Sequence, residues 1–174
     1  MRRAQGPSRR VERPRVREHQ VRILRPQDIP ACAAIIASES LWQRYGTSGR
    51  SARELIRGAF RRHDCLYVAR ANGQVVGFIW FLLRGAFAHS GYIRLIAVAA
   101  SARGQGVGTA LMEVAEKRIF QSGPNVFLLV STFNRPAQQF YRRRGYRPVG
   151  RVPDYVASGL TELIYRKTEG SLRR

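Results

Sequence analysis

Residues Ile96-Ala97-Val98-Ala99-Ala100-Ser101-Ala102-Arg103-Gly104-Gln105-Gly106-Val107-Gly108 run an apolar strand into a turn with three alternate glycines, where a long helix opens. Glycine reaches backbone angles that other residues avoid and lets the main chain approach a ligand closely. The first turn of a helix leaves N–H groups without partners, and the helix dipole adds roughly half a positive charge there. Together these features make a receptor for phosphate. Two common phosphate loops do not fit. A Walker loop ends in Gly-Lys-Ser or Gly-Lys-Thr, whereas Gly108 is followed by Thr109 with no lysine. A dinucleotide fingerprint needs G-x-G-x-x-G, and counting from Gly104 or Gly106 puts Thr109 or Leu111 in the last place.

A second segment, Asn134-Arg135-Pro136-Ala137-Gln138-Gln139-Phe140-Tyr141-Arg142-Arg143-Arg144-Gly145-Tyr146, reads as a helix. Asn134, Ala137 or Gln138, and Tyr141 then share one face. Asn134 suits a cap and Pro136 the first turn. Alone, this is a capped helix with a tyrosine packed in the core. Taken with Arg103-x-x-Gly106-x-Gly108 after an apolar strand, it resembles the GNAT superfamily of acetyl-CoA-dependent N-acetyltransferases, in particular bacterial members related to ribosomal-protein and N-terminal acetyltransferases. The resemblance covers about residues 20–168.

The resemblance implies that the amides of Arg103, Gly104, Gln105, Gly106, Val107 and Gly108 hold the CoA diphosphate. It implies that the strand at Ile96, Ala97 and Val98 is bulged and splayed, so that the pantetheine arm pairs with its exposed backbone. An N–H near Val98 would polarise the thioester carbonyl, Asn134 would contact pantetheine, and Tyr141 would stand near the sulfur as the acid for the departing thiolate. Arg135, Arg142, Arg143 and Arg144 lie beside these motifs, and one or two would reach the 3′-phosphate. Ala100 stands where the family usually has proline. Relatives that acetylate protein N-termini often carry a glutamate base at the position of Leu129, so the base must come from elsewhere. An amine with a pKa near ~10.4 is mostly ammonium at pH 7 and has to lose a proton before it can attack. The candidates are Glu39, His89, Glu162 and Tyr155, with ordered water as a competitor. Trp42, Tyr45, Trp80, Phe87 and Tyr155 are candidate walls of an acceptor pocket, and the hairpin around 153–163 would border it. A Cys–His nucleophile from His63 and Cys65 lacks a third partner in sequence.

The elements that must position these residues follow from periodicity. A strand at 21–26 ends at Pro26, Asp28 suits the cap of a first helix, and Ser51 with Glu54 suits the capping box of a second. Strands at 65–71 and 74–84 flank Asn72-Gly73, a strong hairpin signal. The second of them is apolar on both faces and so belongs at the centre of a sheet. Strand 92–100, helix 104–121, strand 126–132, helix 134–144 and strands 146–152 and 160–167 complete the order. This order predicts an α/β (α+β) sandwich with a mixed sheet. The resemblance implies that it is the GNAT fold, with a mostly antiparallel sheet of six to seven strands, about four helices, and a splay between the fourth and fifth strands.

The chain has 174 residues, enough for one domain with a sizeable core. Lys and Arg number 31 against 11 Asp and Glu, a net charge of +20, and all but Lys117 and Lys167 of the basic residues are arginine. Such a surface attracts polyanions. Residues 1–19 read as a disordered basic tail without the apolar core of a secretory signal, 20–168 as the acetyltransferase domain and 169–174 as a short C-terminal tail. Cys32 and Cys65 cannot build a disulfide framework or a four-ligand metal site. No metal, no membrane span and a cytoplasmic location are expected. Acetyl-CoA is the expected cosubstrate, with a peptide, protein or small-molecule amine as acceptor, in a monomer or homodimer. Two other readings use the same fold: a nucleic-acid- or ribosome-associated module, motivated by the charge, and a CoA-binding regulatory protein without turnover.

Overall fold

The computed structural model describes residues 19–173. The tail expected over 1–19 therefore lies, apart from His19, outside the described residues. Among the described residues, seven strands form one sheet in the order β1-β2-β3-β4-β5-β7-β6. The strands are β1 (Gln20–Ile23), β2 (Cys65–Ala71), β3 (Gln74–Ala86), β4 (Ser90–Val98), β5 (Asn125–Ser131), β6 (Arg147–Pro153) and β7 (Thr161–Thr168). The helices are α1 (Ile29–Ala37), α2 (Ser40–Arg44), α3 (Gly49–Arg61), α4 (Val107–Phe120) and α5 (Arg135–Arg143).

One more helix is present than expected. Glu39 adopts an extended conformation (φ −97°, ψ 123°) between α1 and α2, so the first helical run ends early and restarts. Two caps also differ. Ser48, not Ser51, caps α3: its side chain accepts from the Ser51 N–H (3.2 Å) while Ser51 Oγ accepts from the Ser48 N–H (2.9 Å). Starting at Gly49 gives the helix a full reciprocal box and still buries Ala52, Ile56 and Ala59. Asp28 stands at the N-cap of α1, as the sequence suggests, but its side chain makes no capping bond there. It closes a short 3-10 turn, accepting from the Arg25 N–H (2.8 Å) and from both terminal nitrogens of Arg22 (2.7 and 2.9 Å).

The β2–β3 hairpin forms as the sequence predicts, with φ of 49° at Asn72 and 76° at Gly73 and Ala71 paired to Gln74. Phe78, Ile79, Trp80 and Phe81 of β3 are all buried, because helices cover both faces. α4 packs with Ile79, Phe81, Ile93, Val126 and Leu128 on one side. α1 and α3 pack with Leu66, Val68, Phe78 and Leu95 on the other. β6 is a mostly exposed edge strand carrying Pro148, Gly150 and two arginines, features that discourage further strand pairing.

Every neighbouring pair is antiparallel except β4–β5, which is parallel and covers only Gly91↔Val126, Tyr92↔Phe127 and Ile93↔Leu128. Against β3, Leu95 pairs with Trp80 and Ile93 with Phe81, so Arg94 is an extra residue, a β-bulge. Past this point β4 and β5 diverge.

Candidate functional site

The gap between the diverging strands opens into a cavity of about 790 Å³. Its floor is the free edge of β4. The Ala99 N–H donates to the Val76 carbonyl (2.9 Å) on the β3 side. Backbone direction alternates along a strand, so the N–H groups of Val98 and Ile96 face the gap. Ile96 and Val98 line the cavity; Ala97 points the other way, into the core shared with α1 and α3.

At the mouth stands the glycine turn. Gly104 and Gly106 hold φ of 70° and 85°, a region that only glycine occupies freely, and the space around each is open. Gly106 caps α4 through its carbonyl, which accepts from the Ala110 N–H (3.0 Å). Among the described residues, the backbone N–H groups from Gly104 to Thr109 find no protein acceptor. Close packing holds this end in place. A Cβ on Gly77 would come within 3.0 Å of both the Ala97 carbonyl and Val107 Cγ1, so α4 seats directly on β3 there. Arg103, Gly104, Gly106, Val107 and Gly108 line the cavity. Gln105 does not: its amide donates to the Ser101 carbonyl (2.8 Å), and its own carbonyl lies 2.7 Å from His19 Nε2.

The opposite wall comes from α5 and the end of β5. Asn134 caps α5, its Oδ1 accepting from the Ala137 N–H (3.2 Å), and lines the cavity with Tyr141. Gln138 donates to the carbonyls of Ser131 (3.0 Å) and Thr132 (2.9 Å), pinning α5 to β5. Tyr141 is 7% exposed and packs against the rings of Phe140, Tyr146 and Tyr165 at 5.4, 5.8 and 6.4 Å. Burial pushes its phenol well above the usual range, so it stays neutral and able to donate. Of the four nearby arginines, Arg143 lines the cavity. Arg144 is tied to Glu116, and Arg142 donates to the Tyr165 hydroxyl (3.1 Å).

The candidate bases separate. Glu39 does not line the cavity and is ion-paired with Arg103. His89 sits in the β3–β4 turn, at the far end of the strand whose other end forms the site. Tyr155 is 61% exposed. Glu162, at the start of β7, lines the cavity and is 3% exposed. Its Oε1 accepts from the Tyr45 hydroxyl (2.7 Å), which also hydrogen-bonds Ser131 Oγ. Leu129 lines the same wall, as do Trp42 and Trp80; Phe87 does not. Burial raises the Cys65 thiol, and no hydrogen bond joins it to His63, so the pair lacks the form of an activated nucleophile. Ser131 and Arg94 carried no signal of this site in the sequence, and Gln138 stood out only as a member of the shared helix face.

Among the described residues, no group of three His, Cys, Asp or Glu side chains stands ready to hold a metal, and no helix is long and apolar enough to cross a membrane.

The chain is 38% identical over 106 residues to an uncharacterized N-acetyltransferase of Methanocaldococcus jannaschii, covering 60% of this chain and 66% of that protein. It spans two thirds or less of the length of the curated relatives it matches. In fold it is similar to a ribosomal-protein-alanine N-acetyltransferase from Brucella melitensis, with a TM-score of 0.68 and 22% identity over 86% of this chain and 99% of that one. It is also similar to an aminoglycoside 6′-N-acetyltransferase complexed with coenzyme A, with a TM-score of 0.69 and 16% identity over 86% and 96%. The model of the acetyltransferase (GNAT) family matches residues 33–146, and with that span of strand, glycine turn and second motif inside it, the chain belongs to this family.

Proposed function

We propose that the chain transfers an acetyl group from acetyl-CoA to a primary amine by direct attack within a ternary complex, with a peptide or protein amine favoured over a small one. One observation carries this reading: a row of backbone N–H groups without protein acceptors, from Gly104 to Thr109, at the mouth of a gap floored by the free edge of β4. The amides and the α4 dipole suit a diphosphate. The free edge suits an extended arm that hydrogen-bonds as an added strand. The Val98 N–H suits a carbonyl oxygen that gains negative charge on attack. Tyr141, neutral and at the cavity wall, suits the proton donor to the leaving sulfur. The preference for a peptide or protein amine draws on the 153–163 loop beside the cavity, where Val156 forms part of the wall, and on the name of the Brucella relative.

Thermal stabilisation by acetyl-CoA and by CoA, together with thiol release when a panel of peptides, polyamines, amino acids and aminoglycosides is added, tests the reading. Stabilisation followed by amine-dependent thiol release is the expected result. Binding with no release by any amine would make the chain a CoA-responsive regulator. Salt-sensitive RNA binding with no response to CoA would make it a nucleic-acid module.

A further inference from the structure

Within the acetyl-transfer reading, on which this inference rests, we propose that Glu162 is the seat of the acceptor's ammonium group and takes its proton, and that the acceptor is a primary amine with an apolar group beside the nitrogen.

Glu162 is the only carboxylate among the described residues that line the cavity; the charged side chains there are otherwise Arg94, Arg103 and Arg143. It is nearly fully buried, yet it takes part in no ion pair among the described residues, in a chain with 31 basic side chains. A buried carboxylate is costly unless a cation or several donors meet it. One donor does: Tyr45 fixes Oε1 at 2.7 Å. Burial pushes the Tyr45 phenol up to about 12, so it remains a neutral donor across the working range of pH. Oε2 accepts no hydrogen bond among the described residues, and it is not one of the polar atoms sealed from solvent, so it faces the cavity.

The position is also right. Glu162 pairs with Ser131 across β5–β7. Ser131 and Leu129 share a face of β5, opposite to Val130, which packs in the α4 core. The carboxylate therefore looks toward the α1–α3 layer, while the glycine turn opens α4 on the other layer. Two reactants entering from opposite faces meet in the gap between β4 and β5. On the carboxylate's side the walls are Leu41, Trp42, Leu55, Trp80 and Val156, which favour an apolar group next to the amine.

The proton balance is as follows. The acceptor's ammonium gives one proton to Glu162 Oε2, which passes it to solvent. The nitrogen lone pair forms the C–N bond to the acetyl carbon and the C–S bond breaks. The sulfur takes the Tyr141 proton, and Tyr141 recovers one from the nascent amide nitrogen. Tyr45 is a positioning residue, holding Oε1 so that Oε2 is free.

Both tryptophans of the chain, Trp42 and Trp80, line this cavity, so their fluorescence reports its occupancy. The probes are leucinamide and 4-methylpentanamide, the same skeleton without the amine, titrated into CoA-loaded protein. Leucinamide should give a saturable change at least about 10-fold tighter than 4-methylpentanamide, since a hydrogen bond to a charged group supplies that much. E162Q should erase the preference while keeping CoA affinity, and should lower leucinamide-dependent thiol release from acetyl-CoA about 10²-fold or more, with the pH profile moving toward the amine's own pKa. Y45F should weaken leucinamide with CoA affinity unchanged, which checks the site by a second variant. No saturable response to leucinamide in protein that binds CoA, or an E162Q protein that keeps the preference, overturns the ammonium site. Leucinamide that binds but releases no thiol, or release unchanged in E162Q, overturns the proton transfer. A wild-type protein that does not bind acetyl-CoA brings down the acetyl-transfer reading first.

Discussion

Gly108 stands in the first turn of α4 with an ordinary backbone, and a Cβ there would meet Phe140 at 3.5 Å, a normal contact. Gly108→Glu should therefore fold, and the added anion near the helix N-terminus favours the helix. The same anion sits where the diphosphate would dock. The expected outcome is a Tm equal to or above wild type with CoA binding lost by calorimetry; retained binding would move the diphosphate elsewhere. Tyr141→Phe removes a hydroxyl that makes no hydrogen bond among the described residues, so stability and CoA affinity should stay near wild type. If the hydroxyl protonates the sulfur, kcat falls about 10²-fold or more, as steady-state thiol release would show. At this scale the sequence was readable wherever the chemistry is contiguous. The glycine turn and the Asn134 cap each fit within about a dozen residues. The Tyr45–Ser131–Glu162 cluster joins residues 86 and 117 positions apart, and only the strand register brings them together.

α5 owes its setting to a charge cluster on its far side. Glu116 of α4, 6% exposed, accepts from Arg144 at the end of α5 (3.0 Å) and from Lys167 of β7 (2.7 Å). One carboxylate thus ties together a helix on each side of the site and the strand that carries Glu162. Glu116→Ala would leave two cations around a mostly dry position. The cost of breaking a buried pair runs at about 3–5 kcal/mol, and the partial exposure of Lys167 favours the lower end. A loss of about 3 kcal/mol corresponds to a fall in Tm of roughly 10 °C by calorimetry. Most elements were legible from their periodicity and turn residues: β3 because it is apolar on both faces, the hairpin because Asn72-Gly73 allows little else. The start of α3 was not, because Ser48 and Ser51 both offer hydroxyls and the buried face of the helix fits either start. The extra turn at Ser40–Arg44 was missed because its break depends on the backbone of Glu39 alone.

With +20 charges, the molecule depends on its few carboxylates being ionised. Burial pushes the Asp28 carboxyl up, but the bonds from Arg22 and the Arg25 N–H outweigh it and hold the group below the usual carboxylate range. In the window between that lowered value and about 3.9, the unfolded chain binds a proton that the native chain refuses. The stabilisation is complete above about pH 4–5 and fades as acid protonates the native group. Asp28→Asn should flatten this part of a Tm-against-pH curve; an unchanged slope would remove Asp28 from the account. The splay is a property of the whole sheet, and the sequence displayed it only through resemblance, because Arg94, the bulged residue, looks like any other strand position.

That three-residue seam between β4 and β5 has a bearing on how long the protein survives. The two halves of the sheet share few rungs, so a ligand whose arm spans the divide supplies the missing ones. At a free concentration 100 times its Kd, such a mender adds about 2.7 kcal/mol to the native state. Starving a cell of that ligand would then shorten the protein's lifetime.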